Sequence, residues 1–286
     1  MKKKNLTIEE TFALAVQNHK ENNLQVAENL YKKILKTNPN YAGVYYNLGI
    51  TFKELEEYQK AISCYEKAIQ INPNYAGAYF NLGIVFKELE EYQKAIGYYE
   101  KAIQIDPNYA QAHHNLGIVF KESGELQKAI TCFQKAIHIQ PNYAGAHNNL
   151  GLVFIKLREY QKAISCFQKA IQLNPNHASA HSNLGIVLKE LGEYQKAISC
   201  YEKAIQIDPN YANVYYNLGN ILQELKELQK AKSCYEKLLN LDPTYKKGYS
   251  SYGYLLLKIS QHNKGLAYIR KGDGVIRFTQ KDVKII

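Results

Sequence analysis

Long apolar runs are absent from this sequence of 286 residues. No window approaches the roughly 18 consecutive apolar residues that a membrane-spanning helix requires. The N-terminal segment MKKKNLTIEETFALAV begins with basic residues, but Glu9 and Glu10 interrupt the residues after them, and the apolar run is too short for a signal peptide. We therefore expect a cytoplasmic protein without a membrane span.

Motifs for catalysis, phosphate binding and metal binding are also missing. The chain has no phosphate-cradling glycine loop and no nucleophile elbow. No CxxC or Cys/His pair occurs at the spacing of zinc ligands. The sequence therefore predicts a protein that is not an enzyme and that has no cofactor and no metal site.

The excess of basic residues is confined to the two ends of the chain. The formal net charge is +10, of which residues 1–40 contribute +3 and residues 244–286 contribute +7, while the residues between them are neutral. Because a nucleic-acid-binding surface needs a sustained basic stripe, this distribution argues against DNA or RNA as a partner.

Proline is rare, and its seven occurrences are evenly spaced. Each proline lies 34 residues from the next: Pro39, Pro73, Pro107, Pro141, Pro175, Pro209 and Pro243. The same spacing recurs for Leu48–Gly49, Ala61, Tyr65 and Ala68. A fixed period between about 20 and 50 residues indicates one structural unit copied in tandem.

The repeated pattern is aromatic-x-x-Leu-Gly-x-x-aromatic, followed by Ala, an aromatic residue, Ala and Pro. This pattern resembles the tetratricopeptide repeat, a helix–turn–helix unit with the same period. The resemblance implies an all-α fold, a right-handed α-solenoid of about eight repeats. We expect one array over residues 1–279, followed by a tail at 280–286, with repeats at 8–41, 42–75, 76–109, 110–143, 144–177, 178–211, 212–245 and a degenerate 246–279.

In the repeat 42–75, apolar residues at three- and four-residue steps predict two helices. Helix A covers about Ala42–Leu55 and helix B about Tyr58–Ile71, with the turn at Glu56–Glu57. The dipeptide Asn72-Pro73 ends helix B, because the residue before proline disfavours the α conformation. We expect the asparagine to cap the next helix and the proline to occupy its first position.

The two ends of the array carry their own signals. Thr7 is a predicted N-cap, with Glu10 completing a capping box. The triplet Gly272-Asp273-Gly274 should end the last helix. Beyond it, Val275–Phe278 and Val283–Ile286 are β-prone, so the end of the chain is either a short hairpin or a segment that belongs to a partner.

Several other positions of the repeat carry small or charged residues; positions 34 residues apart in successive repeats are here called a slot. Gly49 and Ala61 should lie where helices A and B cross. The cysteines share one slot of helix B and should be free thiols, since equivalent helices lie about 8–10 Å apart: Cys64, Cys132, Cys166, Cys200 and Cys234. Glu/Lys pairs three residues apart should form weak surface contacts: Glu57/Lys60, Glu91/Lys94, Glu125/Lys128, Glu159/Lys162, Glu193/Lys196 and Glu227/Lys230.

Three histidines replace an aromatic residue in one slot of helix A. His113, His147 and His181 occupy the slot of Tyr45 and Tyr79. Since neighbouring equivalents are about 8–10 Å apart, they cannot share one metal ion. We interpret them as packed substitutes for the aromatic ring.

An asparagine recurs in one slot of helix A in six consecutive repeats: Asn47, Asn81, Asn115, Asn149, Asn183 and Asn217. The resemblance implies that helix A lines a concave groove, so these residues would form an asparagine ladder. The ladder is similar to that of the repeat region of O-linked N-acetylglucosamine transferase, which holds substrate peptides by their backbone. An amide side chain both donates and accepts, so it suits a peptide backbone. The alternative is that asparagine only orders the helix surface.

Other groove slots would supply specificity. Beside the ladder lie aromatic residues, and one turn further lie aliphatic ones: Tyr46, Phe80, His114 and Tyr216, then Ile84 and Ile118. A rim of mixed lysine and glutamate predicts no strong preference for acidic or basic ligands. The lysines of the carboxylate clamp that binds chaperone tails in this family are missing from the central repeats.

The sequence thus predicts a non-catalytic scaffold that binds a peptide or protein segment in its concave groove. The alternative is a substrate-recruiting partner of a separate enzyme, such as a glycosyltransferase. Incompletely capped ends would also allow self-association.

Overall fold

The helical periodicity of the repeats produces sixteen α-helices in the described part of the chain. The computed structural model describes residues 6–274 and the short strands 276–278 and 283–285. The chain divides into two compact units, Met1–Ala146 and His147–Ile286, and the division falls within the ninth helix. None of the helices in the described ranges has both the length and the apolar character needed to cross a membrane.

The helices alternate between the first and the second member of a pair, here called A and B helices. The A helices are α1 (Ile8–Lys20), α3 (Ala42–Glu54), α5 (Ala76–Glu88), α7 (Ala110–Glu122), α9 (Ala144–Lys156), α11 (Ala178–Glu190), α13 (Ala212–Glu224) and α15 (Lys246–Lys258). The B helices are α2 (Leu24–Thr37), α4 (Tyr58–Ile71), α6 (Tyr92–Ile105), α8 (Leu126–Ile139), α10 (Tyr160–Leu173), α12 (Tyr194–Ile207), α14 (Leu228–Leu241) and α16 (His262–Asp273). Within each unit, a B helix packs on the A helix before it and on the A helix after it. The predicted all-α fold of helical repeats is confirmed.

The short connection after each B helix differs from the prediction in one respect. Asn72 is the C-terminal cap of α4, and the next helix begins at Ala76, after Tyr75. The side-chain oxygen of Asn72 instead accepts the backbone N–H of Asn74 at 3.1 Å, which forms an Asx turn around Pro73. The expectation that Asn72 caps the next helix and that Pro73 occupies its first position is therefore wrong.

The same turn recurs along the chain. Aspartate or asparagine accepts the N–H two residues on at Asp106–Asn108, Asn174–Asn176, Asp208–Asn210 and Asp242–Thr244, over 2.9–3.1 Å. Proline suits this turn because its ring fixes φ and because the turn does not need its N–H. The spacing of the prolines thus marks the links between repeats.

Glycine at the crossing of helices A and B lets an aromatic ring of helix B lie directly against the A-helix backbone. A Cβ atom on Gly49 would lie 2.6 Å from the ring of Tyr65, and one on Gly117 would lie 2.8 Å from the ring of Phe133. The pairs Gly83–Tyr99, Gly151–Phe167, Gly185–Tyr201 and Gly219–Tyr235 repeat this contact at 2.5–2.9 Å. Ala61, one helical turn before Tyr65, has no exposed surface, so the predicted crossing of small residues is confirmed.

The last pair of helices packs even more closely. A Cβ atom on Gly253 of α15 would lie 2.8 Å from the carbonyl oxygen of Gly265 on α16. A Cβ atom on Gly272 would lie 2.6 Å from the backbone nitrogen of Ser250. The glycines that make this repeat look degenerate are therefore required by backbone-to-backbone contact between α15 and α16.

Both ends of the array match the sequence signals. The Thr7 hydroxyl accepts the N–H of Glu10 at 3.1 Å, and the Glu10 carboxylate accepts the N–H of Thr7 at 2.9 Å. The helix α16 ends at Asp273, and Gly274 has φ 95°. Beyond it, β1 (Ile276–Phe278) pairs antiparallel with β2 (Val283–Ile285), and Arg277 lies opposite Lys284. The capping box, the helix stop and the hairpin are confirmed; the residues between the strands lie outside the described ranges.

The repeated surface slots also behave as the sequence indicates. All five cysteines are free thiols, and burial raises the pKa of Cys132 to about 11. Each predicted Glu/Lys pair of helix B forms an ion pair, as between Lys94 and Glu91 at 2.6 Å. The Lys94 amine also lies 5.0 Å from the centre of the Phe86 ring, a cation–π contact that the sequence interpretation missed.

The glycine–ring contact predicts opposite effects for two glycine substitutions. Gly117→Leu should lower the free energy of unfolding by about 1–3 kcal/mol, because the new side chain collides with Phe133. Gly97 is the control, since it lies within α6 but a Cβ atom there meets nothing within 4 Å. Gly97→Ala should raise stability by about 0.5–1 kcal/mol through helix propensity. Urea denaturation measures both, and a Gly117→Leu protein as stable as the wild type would contradict the packing.

Two tyrosines of the ring slot differ in whether their hydroxyl is satisfied. Among the described residues the buried Tyr201 hydroxyl has no hydrogen-bond partner, whereas the Tyr235 hydroxyl donates to Asn220 Oδ1 at 2.7 Å. Phenylalanine is tolerated in the slot, since Phe133 and Phe167 occupy it.

Tyr201→Phe should therefore raise the free energy of unfolding by about 1 kcal/mol, because it removes an unsatisfied buried hydroxyl. Tyr235→Phe should lower it by about 0.5–1.5 kcal/mol, because it breaks a hydrogen bond. Chemical denaturation of the two single variants tests the difference, and changes of the same sign would contradict it.

Candidate functional site

The first two asparagines of the ladder lie on consecutive A helices of the N-terminal unit and bond to their own helix. Asn47 Nδ2 donates to the Gly43 carbonyl at 2.8 Å, and Asn81 Nδ2 donates to the Gly77 carbonyl at 2.9 Å. Because the carbonyl belongs to the residue one turn earlier, this bond turns the amide nitrogen towards the helix. Within the described ranges, no hydrogen bond reaches Oδ1 of Asn47 or of Asn81.

Asn81 and Asn115 are also tied to neighbouring side chains. Asn81 Nδ2 donates to the Tyr46 hydroxyl at 3.2 Å, and Asn81 is only 6% exposed. Asn115 Oδ1 lies 3.3 Å from His114 Nδ1. These contacts hold the side-chain amides of Asn81 and Asn115 in place.

The asparagines of the C-terminal unit are half-buried, and one bond joins two repeats. Asn183 Nδ2 donates to Oδ1 of Asn148, one repeat earlier, at 3.0 Å. Asn149 and Asn217 are half-buried in the same slot as Asn183. Ligand binding by all six asparagines stays a prediction.

The aromatic residues beside the ladder pack on the ring that ends their own repeat. Tyr46 stacks on Tyr75 with ring centres 4.8 Å apart. The pairs Phe80–Tyr109, His114–Tyr143 and Tyr216–Tyr245 repeat this contact at 4.7–5.3 Å. The ring that ends each repeat is a component that the sequence interpretation missed, although its recurrence every 34 residues was a visible signal. The predicted specificity residues are therefore parts of a ring cluster, in which His114 is buried and the other three are half-buried.

The ring cluster shifts the pKa values of its polar members. Burial raises the pKa of Tyr46, and the hydrogen bond from Asn81 opposes that shift. Burial lowers the pKa of His114, which is 8% exposed. The Tyr143 hydroxyl lies 3.1 Å from His114 Nδ1, so this histidine keeps the polar link that a phenylalanine would lack.

The aliphatic and charged residues complete the A-helix surface. Ile84 and Ile118 are half-buried, one turn beyond the ladder. At the rim, Lys87 pairs with Glu88 at 3.1 Å, and Lys189 lies 3.9 Å from Glu224. The rim therefore carries charges of both signs, as the sequence predicts.

The histidines in the neighbouring slot hold the connections between repeats. His113 Nε2 lies 3.1 Å from the Pro107 carbonyl, and His181 Nε2 lies 3.0 Å from the Pro175 carbonyl. Tyr215 makes the equivalent hydrogen bond to the Pro209 carbonyl at 3.2 Å. These histidines therefore substitute for an aromatic residue with a polar tip, in agreement with their interpretation as packed replacements.

Models of one repeat family match most of the chain. Those described as tetratricopeptide repeat match residues 42–75, 76–109, 98–131, 144–177, 166–199 and 212–245. A further model, described as TPR repeat, matches residues 119–158 and 187–226. No curated protein matches the sequence significantly.

Solved structures of repeat proteins are similar to the chain. A crystal structure of MamA is 27% identical, covers 60% of this chain and 94% of its own, and has a TM-score of 0.53. YrrB, described as a TPR protein with an unusual peptide-binding site, is 25% identical, with coverage of 69% and 97% and a TM-score of 0.52. PilF of Pseudomonas aeruginosa is 23% identical, with coverage of 76% and 97% and a TM-score of 0.67, which supports the fold alone.

The lowered pKa of His114 predicts that acid destabilises the protein. An unfolded chain takes up this proton at about pH 6.5, whereas the folded protein resists it. The stability linked to His114 is therefore present above that pH and falls as the pH drops below it. His114→Phe should make the free energy of unfolding less dependent on pH between about 7 and 5.

The equivalent ring one repeat earlier supplies the reciprocal control. Phe80→His should increase the dependence on pH, because it places a second histidine in the same buried slot. Urea denaturation at several pH values measures both variants. Equal slopes for His114→Phe and the wild type would contradict the prediction.

Proposed function

The chain belongs to the tetratricopeptide repeat family, and from that premise we propose that it is a non-catalytic scaffold that binds an extended peptide segment along its A helices. Proteins of this family are interaction modules, and YrrB, at 25% identity, is described as having a peptide-binding site.

The observation that carries the proposal is the orientation of the ladder amides. Because Asn47 and Asn81 donate to their own helix, their Oδ1 atoms remain as acceptors one repeat apart. A peptide N–H is the matching donor, and it is present in every sequence except at proline. Such a ladder would hold a peptide by its backbone and would leave its side chains to the neighbouring slots.

The repeat spacing favours one peptide conformation. Equivalent packed helices lie about 8–10 Å apart. A polyproline II segment rises about 3.1 Å per residue, so every third residue advances about 9 Å and faces the same side. An extended peptide would therefore meet a new asparagine at about every third residue. The mixed rim charges give no net preference for acidic or basic peptides.

The test uses a random 12-residue peptide library displayed on phage and selected on the full chain. The combined variant Asn47→Ala, Asn81→Ala, Asn115→Ala removes the ladder of the N-terminal unit. We expect selected peptides to bind the wild type with micromolar Kd and to bind the variant at least about tenfold more weakly, since each lost hydrogen bond contributes about 0.5–1.5 kcal/mol.

A matched control removes three amides elsewhere. Gln59, Gln93 and Gln127 occupy one exposed slot of the B helices. Their combined substitution by alanine should leave the Kd unchanged. Circular dichroism confirms folding of both variants, and peptides that bind the ladder variant as tightly as the wild type would reject this proposal.

A further inference from the structure

A depression of about 580 Å³ lies between successive B helices of the N-terminal unit, away from the asparagine ladder. Its walls are α6 and α8, and its floor is formed by α7. The buried residues Leu116, Phe120 and Cys132 line it, and the half-buried Ile103 completes the apolar surface. This volume lies within the usual range of ligand sites, about 300–1,000 Å³.

The preceding repeat shows what fills the equivalent position. There, the ring of Tyr98 stacks on Phe86, with ring centres 5.2 Å apart and planes 6° from parallel. In the repeat 110–143, the slot of Tyr98 holds Cys132, while Phe120 keeps the slot of Phe86. Cysteine is the usual residue of this slot, and Tyr98 is its aromatic exception. The depression therefore lies where the preceding repeat places an aromatic side chain.

The rest of the lining does not replace this ring. His113 occupies the slot of Tyr79, whose ring lies 6.5 Å from that of Tyr98. The His113 ring is held at the Pro107 carbonyl by a 3.1 Å contact. The Lys128 amine lies 5.1 Å from the centre of the Phe120 ring, as the Lys94 amine lies over the Phe86 ring. The site thus retains the ring and the cation of the preceding repeat but lacks its tyrosine.

A lysine at the edge of the depression has lost its usual partner. In four other repeats, a lysine of the B helix donates to a glutamine three residues later, at 2.8–3.1 Å: Lys67–Gln70, Lys101–Gln104, Lys169–Gln172 and Lys203–Gln206. His138 replaces the glutamine in this repeat, and Lys135 makes neither a hydrogen bond nor an ion pair within the described ranges. Glu100 lies on the opposite wall, and Lys128 pairs with Glu125 at 2.5 Å. Lys135 is thus the cation available to an anionic ligand.

We propose that this depression binds an aromatic side chain of a partner peptide that carries a carboxylate beside the ring. The ring stacks on Phe120 as Tyr98 stacks on Phe86, and the carboxylate pairs with Lys135. Offset stacking of aromatic rings and charge-assisted hydrogen bonds supply the attraction. The site lies on the B-helix side, so it does not depend on peptide binding by the asparagine ladder.

The test is an NMR titration of the full chain, labelled with ¹³C in its isoleucine and leucine methyl groups. The probe is an acetylated and amidated pentapeptide with phenylalanine between two aspartates and glycine at each end. We expect saturable shifts at Ile103 and Leu116. A peptide with alanine in place of phenylalanine should bind at least about tenfold more weakly, because it cannot stack.

Substitutions borrowed from neighbouring repeats test the ring site. Cys132→Tyr restores the arrangement of the preceding repeat and should weaken the peptide at least about tenfold by filling the space. Phe120→Leu, which copies Leu188 and Leu222 in the same slot, should weaken it through loss of the stacking face. The reciprocal variant Tyr98→Cys should create a second site, with shifts at Ile69 and Leu82.

The charge contact has its own variant. His138→Gln restores the lysine–glutamine pair, so it should weaken the acidic peptide by about threefold to tenfold and reduce the effect of salt on its Kd. A version of the peptide with asparagine in place of aspartate should bind the wild type and His138→Gln equally.

The proposal fails if neither Ile103 nor Leu116 shifts, or if Cys132→Tyr and Phe120→Leu both bind the peptide with unchanged Kd. Tighter binding of dodecanoate than of the peptide would also overturn it and would assign the depression to a fatty acid. If Cys132→Tyr loses the peptide while the combined variant Asn47→Ala, Asn81→Ala, Asn115→Ala binds it with unchanged Kd, the depression is a site separate from the ladder.

Discussion

The contact between the A-helix glycine and the B-helix aromatic ring is the constraint on which the six repeats from 42 to 245 depend. A ring such as Tyr65 lies so close to Gly49 that no side chain fits between them. The ring is fully buried and is among the largest fully buried side chains of the described residues. This contact sets the distance between the two helices and their rotation relative to each other. The side chains at the other positions of the repeat therefore point in defined directions.

This constraint explains why the last repeat looks irregular and yet packs tightly. The ring slot there holds Ile269, which is smaller than tyrosine, and Gly265 replaces the usual alanine. The two helices approach until the backbone of Gly253 meets that of Gly265. The two helices of the last repeat thus still pack through small residues, but they lie closer together. The altered sequence motif of this repeat reflects a different packing of the helix pair, and not a loss of structure.

The period, the helices and the crossing residues could be predicted from the sequence because they follow from local rules and strict repetition. The role of Asn72 could not, because an N-cap and an Asx turn use the same side-chain oxygen to accept an N–H two or three residues later. The start of the next helix decides between them, and Tyr75 is held there by its ring contact with Tyr46. The burial of Tyr46 and His114 could not be predicted either, because it results from ring contacts with Tyr75 and Tyr143, which the residue types of their own slot do not indicate.

The residue type varies most between repeats at positions that do not pack against an A-helix glycine. Where a glycine faces it, from Tyr65 to Tyr235, the buried ring slot holds only tyrosine or phenylalanine, since a smaller residue would leave a void beside the glycine. The adjacent slot, which holds Tyr98 or a cysteine, faces the space between B helices, so a change there leaves the pair of helices intact. One residue in such a slot therefore decides whether the space between B helices is filled or open. The repeat 76–109 has the filled version, with Tyr98 stacked on Phe86, and it shows which group fits the open space beside Cys132.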